Sequence, residues 1–425
     1  TKMFSSIRGT KDILPKDQKF WDYFKNEAFK QSAIYGFERI DTPTFEMTDL
    51  FLRGIGIGTD IVTKETYSFI DRGENNITLR PEGTASVCRA YIQNAMYTES
   101  QPKKFYYFTS IFRYERPQSG RLREHHQFGI ETLGSNDPFL DGEIIQFAWN
   151  LLSRLGLNKL NLNLNTIGDQ DDRKNYIKSL KNYYTQSDWG DSKCKDCENR
   201  IKTNTLRILD CKNKNCQNYI NEAPNMLDYA SDLTINHFEK VKNYLDLSKI
   251  KYTINKSLVR GLDYYTNTVF EITSKENKSQ NALVGGGRYN GLIEQLGGPS
   301  TPGTGFGMGV ERVINEIIES NININEKINS KILFTSIDKN SYDKKIKYNL
   351  IARNNNINSE ISTEGKSLKA TMRYANNNDF SIVIILGQDP NGNNNTVSIK
   401  YLESGKQENI SENELLTMLN KNNNE

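Results

Sequence analysis

Apolar positions in the first part of the chain alternate between helical and strand-like spacing. Across residues 20–35 they recur at helical intervals (Phe20, Phe24, Ala28, Ile34), and Gly36 follows where a helix stop belongs. Residues 39–46, R-I-D-T-P-T-F-E, are predicted extended because Pro43 blocks a helix. Residues 78–84, T-L-R-P-E-G-T, read as a strand ending in a Pro-Glu-Gly turn, followed by a helix over 85–95. A hairpin comes next: 105–113 is aromatic and β-branched, 127–131 alternates polar with small or apolar, and the loop between holds Pro117 and Gly120. An amphipathic helix over 141–155 and an alternating strand over 159–167 complete this part.

On a strand, side chains two apart share a face. This groups Arg113 with Glu115, and His125 with Gln127, Gly129 and Glu131, while Arg121 and Arg123 hang over them from the loop. Such a face cannot enter an apolar core without a large desolvation cost, so it is either solvated surface or the floor of a polar pocket. Glu82 and Thr84 stand where a strand hands over to a helix, a place for ligand contacts or for plain helix capping.

From residue 169 to about 252 the sequence turns polar and helix-rich, as in an inserted module. Residues 258–266, L-V-R-G-L-D-Y-Y-T, are then predicted to begin a strand running through Ile272. Regular alternation puts Arg260 and Tyr264 on one face and Tyr265 on the other, and a break at Gly261 reverses this. G-G-G-R-Y-N-G-L starts at Gly285, and G-T-G-F-G-M-G-V-E-R at Gly303 reads as a glycine-rich strand entering a helix near Gly309. Close backbone approach, to another element or to a ligand, explains the glycines. Glu311 and Arg312 at that helix start are either solvated or part of a site. Residues 321–330 are polar and of low complexity, a candidate linker, and beyond them strand-like and helical runs alternate as in a small α/β domain.

At 425 residues the chain has room for two or three compact units. Its net charge, 55 − 52 = +3, leaves any nucleic-acid footprint to local patches. There is no apolar run of about 18 residues and no signal-like start, so a soluble, cytoplasmic protein without a membrane partner is expected. Of the five cysteines, Cys194, Cys197, Cys211 and Cys216 follow C-x2-C, thirteen residues, C-x4-C. That spacing could give four thiolates to a structural zinc; the alternative is unligated thiols in a reducing compartment. Two nucleotide motifs are excluded. R-G-I-G-I-G at 53–58 has Thr59 in the last glycine position and no surrounding βαβ unit, and Gly365-Lys366-Ser367 has Glu360 where a P-loop needs glycine.

Taken together, F-R-Y-E at 112–115, G-F-G-M-G-V-E-R at 305–312 and the Pro43 strand resemble motifs 2, 3 and 1 of the class II aminoacyl-tRNA synthetases. R-G-L-D-Y-Y at 260–265 and G-G-G-R-Y-N-G-L at 285–292 are similar to the two signatures special to the histidyl-tRNA synthetase family. The resemblance implies an α+β catalytic domain over 1–322, with a six- or seven-stranded, mostly antiparallel sheet flanked by helices and a helical insertion at about 169–252. It also implies a linker at 323–330, an anticodon-binding α/β domain over 331–425, and a homodimer formed through the Pro43 region.

The implied activity is that of an ATP-dependent histidine–tRNA ligase, with L-histidine, ATP with Mg²⁺ and histidine tRNA as partners. By resemblance Arg113 holds the α-phosphate, Arg260 contacts that phosphate and the substrate carboxylate, Arg121 and Arg312 reach the outer phosphates or the adenine, and Glu115 meets the adenine amino group. Glu82, Thr84 and Gln127 offer the carboxylate and neutral acceptors an α-ammonium wants, and Gly83 and Arg113 belong to the histidine site with them. Glu131 and a tyrosine take the imidazole nitrogens: Tyr264 or Tyr265, with Tyr289. His125 departs from the pattern, since the family usually stacks a phenylalanine on adenine there, and its protonation is expected to make adenine binding mildly pH-dependent. Lysines near 344–347 and 366–369 are candidate tRNA patches or solvated faces. Two rivals are weighed. One is a non-catalytic histidine-sensing regulatory paralogue, which lacks the arginine of R-G-L-D-Y-Y and the anticodon domain. The other is a different class II synthetase.

Overall fold

In the computed structural model the described residues are 3–56, 59, 61–115, 122–187, 189–190, 193–275, 282–324, 330–338, 341–387 and 396–420. Pro117, Gly120 and Arg121 of the hairpin loop and residues 325–329 of the expected linker lie outside them. The chain divides into two compact units, Thr1–Ile324 and Asn325–Glu425.

The first unit is built on an eight-stranded sheet, in the order Glu38–Arg39, Lys103–Phe112, Glu124–Leu133, Gly303–Gly309, Ala282–Arg288, Thr266–Ser274, Leu160–Thr166, Thr253–Ile254. The six long strands are antiparallel neighbours; the two-residue edge strands pair parallel. The edge pairs take the count above the six or seven expected.

Strand alternation sorts the two faces. Phe128, Ile130, Phe306 and Met308 point to an apolar core shared with the helices Gln18–Ile34, Pro138–Arg154, Asp232–Leu247 and Val310–Glu319. The first helix shows why these segments fold locally. Trp21, Phe24 and Ala28 recur at three- and four-residue steps and are buried, and the helix stops where Gly36 takes φ +72° and Phe37 N–H reaches back to Ser32 O at 2.9 Å. A buried ion pair ties the end of a strand to two of these helices: Arg288, fully buried, meets Asp141 at 2.8 Å, and His237 Nε2 lies 2.7 Å from the same carboxylate.

On the opposite face the glycine strands leave room for polar side chains. A Cβ on Gly305 would enter the Glu131 carboxylate, one on Gly307 the Gln127 amide, and one on Gly285 the Arg260 guanidinium. The sequence expectation fails at residues 258–265, which are irregular; the strand begins only at Thr266. Residues 53–55 form the end of the helix Thr48–Ile55. A small sheet of Phe45–Met47, Asn76–Leu79 and Tyr67–Ile70 stands apart, with Phe45, Met47, Phe69 and Ile70 exposed. No helix among the described residues is long and apolar enough to cross a membrane.

The second unit has a five-stranded sheet in the order Ser359–Ile361, Ile332–Ser336, Ile382–Leu386, Thr396–Tyr401, Gln407–Ser411. The first three strands are parallel and the last two antiparallel. The lysine patch expected near 344–347 is mostly spent internally. Lys345 is buried with its Nζ donating to Ser362 O at 2.9 Å, and Lys344 pairs with Glu412 at 2.5 Å.

Candidate functional site

A cavity of about 370 Å³ opens over the glycine strands, and Glu82, Thr84, Arg113, Glu115, His125, Gln127, Arg260, Tyr264, Tyr265 and Arg312 all line it. The hairpin face is therefore a pocket floor. Arg113 follows the first hairpin strand, its N–H donating to Arg123 O at 2.9 Å and its Nε to Pro81 O at 2.7 Å. Arg312 Nη1 donates to Ala282 O at 2.8 Å, and Arg260 is ion-paired with Glu271. Two of these three guanidiniums are thus anchored on backbone carbonyls and the third on a carboxylate.

Glu82 caps a helix start and also borders the cavity. Its oxygens accept the N–H groups of Thr84 at 2.6 Å and Ala85 at 2.8 Å, capping the helix Thr84–Gln93, while the side chain still borders the cavity. Glu131 is completely buried and accepts three hydroxyls: Thr84 at 2.7 Å, Tyr107 at 3.2 Å, and Tyr289. Burial pushes its carboxyl up to about 8 against the pull of those donors. Glu131, Tyr289 and Gly83 are buried and are not among the residues that line it. Arg121 lies outside the described residues.

Tyr264 and Tyr265 both reach the cavity, their rings 4.7 Å apart, with Tyr289 5.6 Å from Tyr264. The expectation that alternation would turn one of them away is corrected: residues 258–265 are not a strand, so the two-residue parity does not hold. His125 faces the cavity as predicted, but its expected titration is overturned. Burial, with the nearby Arg113 and Arg312 charges, pushes its imidazole down to about 3, so it stays neutral at working pH. Its neighbour His126 turns to the other face, 4.8 Å from Trp21, and fixes Glu311, which accepts the His126 N–H at 2.9 Å and lies 2.8 Å from its Nδ1. Glu311 is thus no solvated helix-start residue; it too lines the cavity.

Tyr107 and Glu271 were not foreseen. Tyr107 sits opposite Gly129, and its ring fills the space a Cβ on Gly129 or Gly83 would need. A tyrosine facing a glycine in the hairpin was the available signal. Glu271, the partner of Arg260, gave none.

A histidyl-tRNA synthetase family model matches residues 9–313, and an anticodon-binding-domain model matches 322–422. The chain belongs to the histidyl-tRNA synthetase family. It is 44% identical over 408 residues to the histidine–tRNA ligase of Clostridium novyi, covering 96% of each chain. It is 44% identical over 400 residues to that of Halothermothrix orenii, covering 94% of this chain and 95% of the relative. The crystal structure of apo S. aureus histidyl-tRNA synthetase superposes with a TM-score of 0.82 at 33% identity, over 99% of this chain and 100% of that one. The family's antiparallel-rich sheet flanked by helices and its anticodon-binding domain are both present.

The Glu131 shift makes a stability prediction. A carboxyl raised in the folded chain favours folding fully below its ordinary value of 4.5, and that contribution is lost as pH rises through about 8. The unfolding free energy of the unmodified chain, minus that of Glu131→Gln, should therefore fall by several kcal/mol between about pH 5 and pH 9, at about 1.4 kcal/mol per pKa unit. Urea titrations across that range measure it, and a flat difference would refute it.

Proposed function

We infer that the chain is an ATP-dependent histidine–tRNA ligase. The histidine carboxylate attacks the α-phosphorus of ATP, the bond to pyrophosphate breaks, and histidyl-adenylate forms; a ribose hydroxyl of the terminal tRNA adenosine then attacks the acyl carbon and AMP leaves. The observation that carries this reading is the meeting, in one cavity, of Arg113 and Arg260 with Glu82 and the tyrosines that surround Glu131.

Negative charge builds on the α-phosphate during the attack, and fixed cations stabilise it without reorganising. Arg113 and Arg260 supply them, Arg260 also meeting the substrate carboxylate, and Arg312 with Arg121 takes the outer phosphates or the adenine. Glu115 accepts from the adenine amino group, with His125 on the ring. Glu82, Gly83, Thr84 and Gln127 receive the α-ammonium. Glu131 and the tyrosines Tyr264, Tyr265 and Tyr289 receive the imidazole. Mg²⁺ would accompany ATP, and Glu311, its carboxylate fixed by the His126 N–H, offers hard oxygen ligands. Cys194, Cys197, Cys211 and Cys216, all with sulfurs within 4.8 Å of one another, are the ligand set for a structural zinc.

Residues 331–425 serve anticodon binding, with 323–330 as the linker. The exposed Phe45, Met47, Phe69 and Ile70 near Pro43 support a homodimer through that sheet. The cysteines, all unpaired, suit a reducing cytoplasm.

Pyrophosphate exchange into ATP, run with each of the twenty amino acids, tests the activity. Only histidine should support it, and exchange with none would leave the regulatory reading standing. Arg113→Gln should lower histidine-dependent exchange by about 10²–10³-fold, the usual cost of one transition-state donor, with thermal unfolding little changed. His125→Phe should leave the KM for ATP unchanged or lower it, and with the neutral imidazole that KM should not vary with pH near neutrality on account of His125. A large rise in the KM would remove His125 from the adenine.

A further inference from the structure

Residues 258–265 form neither helix nor strand, yet they bring Arg260, Tyr264 and Tyr265 to the cavity. A segment with no ladder of its own must find outside partners for its carbonyls. Leu258 O finds Asn165 Nδ2 of the strand Leu160–Thr166 at 3.0 Å, and the carbonyls of Arg260, Asp263 and Tyr265 find partners in the inserted module. Arg207 Nη1 donates to Arg260 O at 3.0 Å, Arg173 donates to Asp263 O at 3.2 Å and to Tyr265 O, and Asn204 Nδ2 donates to the Asp263 carboxylate at 3.0 Å.

Asn204 and Arg207 lie in the stretch bracketed by the cysteines. Cys194 caps the helix Lys195–Thr203, which contains Cys197; the 3-10 turn Thr205–Asp210 follows; Cys211 comes next, and Cys216 lies in the helix Lys214–Asn221. Elements this short are marginal by themselves and need a staple. The sulfurs of Cys194 and Cys211 are 3.7 Å apart, and all four fall within 4.8 Å of one another. A tetrahedron with zinc–sulfur bonds of about 2.3 Å has edges of about 3.8 Å, whereas a disulfide needs about 2.05 Å. The backbone N–H groups of Cys197 and Asn213 point at the sulfurs of Cys194 and Cys211, each at 3.5 Å, as donors around a metal-bound thiolate do.

We propose that this zinc centre positions the substrate loop. By tying Cys194 and Cys197 to Cys211 and Cys216 it fixes the stretch bearing Asn204 and Arg207, and that stretch holds Arg260 and Asp263, and through them the segment that carries Tyr264 and Tyr265 to the cavity. Arg207 and Asn204 are positioning residues, acting through the loop and not on substrate. The kinetic consequence rests on the reading of the cavity as the histidine site; the metal and the ordering of the loop do not.

The test uses the full chain purified under reducing conditions. Elemental analysis should give one zinc per chain, lost in the double variant Cys194→Ser, Cys211→Ser. Stripping zinc with a chelator should speed amide hydrogen exchange in residues 258–265 while leaving the strand Lys103–Phe112 protected. Arg207→Met should keep its zinc and raise the KM for histidine about tenfold, the equivalent of one hydrogen bond from a charged donor, with the KM for ATP unchanged; Arg207→Lys should restore part of it. A metal-free chain, or disulfides among the four cysteines in the reduced preparation, overturns the zinc centre. Unchanged exchange in 258–265 after stripping overturns the coupling, as does an Arg207→Met variant with an unaltered histidine KM. If the untreated chain shows no histidine-dependent exchange, the histidine reading fails, while zinc content and hydrogen exchange still decide the positioning.

Discussion

The site depends on how closely polar side chains can lie against bare backbone. Glu131, Gln127 and Arg260 occupy the volume where Cβ atoms of Gly305, Gly307 and Gly285 would stand. A sheet of ordinary residues would lift these groups by the height of a methyl or force them into solvent. With glycine in the neighbouring strands, a carboxylate can be completely buried and still meet hydroxyls from three separate elements: Thr84 at a helix start, Tyr107 on a hairpin strand, and Tyr289 beyond the strand Ala282–Arg288. The glycines give up side-chain packing and backbone order to obtain this, and the helices on the other face supply the compensating apolar core.

Much of this was legible in the sequence because periodicity and steric need are local. The hairpin, the helix ending at Gly36, and the glycine strand running into Val310–Glu319 came within a few residues of their observed bounds. So did the division into a charged and an apolar face, since Phe128 and Ile130 alternate with Gln127, Gly129 and Glu131. Site residues on those elements could be named from motif and alternation alone. The places where reading failed are those fixed by distant partners. The aromatic and β-branched run near residue 264 looks like a strand, but Arg173 and Arg207 bind its carbonyls and hold it irregular. Lys345 sits in a lysine-rich run and is buried on Ser362 O. His125 would titrate in water, but here it is desolvated beside two arginines. The groups that dominate these environments come from far along the chain: Arg173 and Arg207 for the loop, Ser362 for Lys345, and Arg113 and Arg312 for His125.

The count of hydrogen bonds on Glu131 bears on specificity. Held protonated near neutrality, the carboxyl group has an O–H to donate besides its acceptor lone pairs. Oε1 accepts Thr84 and Tyr107, and Oε2 accepts Tyr289. On the proposed reading, an imidazole pairs with this group without bringing the full ammonium charge that a lysine side chain would carry into a dry pocket, and an apolar side chain would leave it unpaired. A site built to pair a buried group discriminates by about 10⁴-fold or more against ligands that cannot. Tyr264 and Tyr265 border the cavity, and Tyr264 packs against Tyr289, whose hydroxyl donates to Glu131. On the proposed reading the loop bearing those tyrosines bears on selectivity together with the Glu131 carboxyl, and Arg173, Asn204 and Arg207, which stand outside the motifs that name the family, hydrogen-bond that loop.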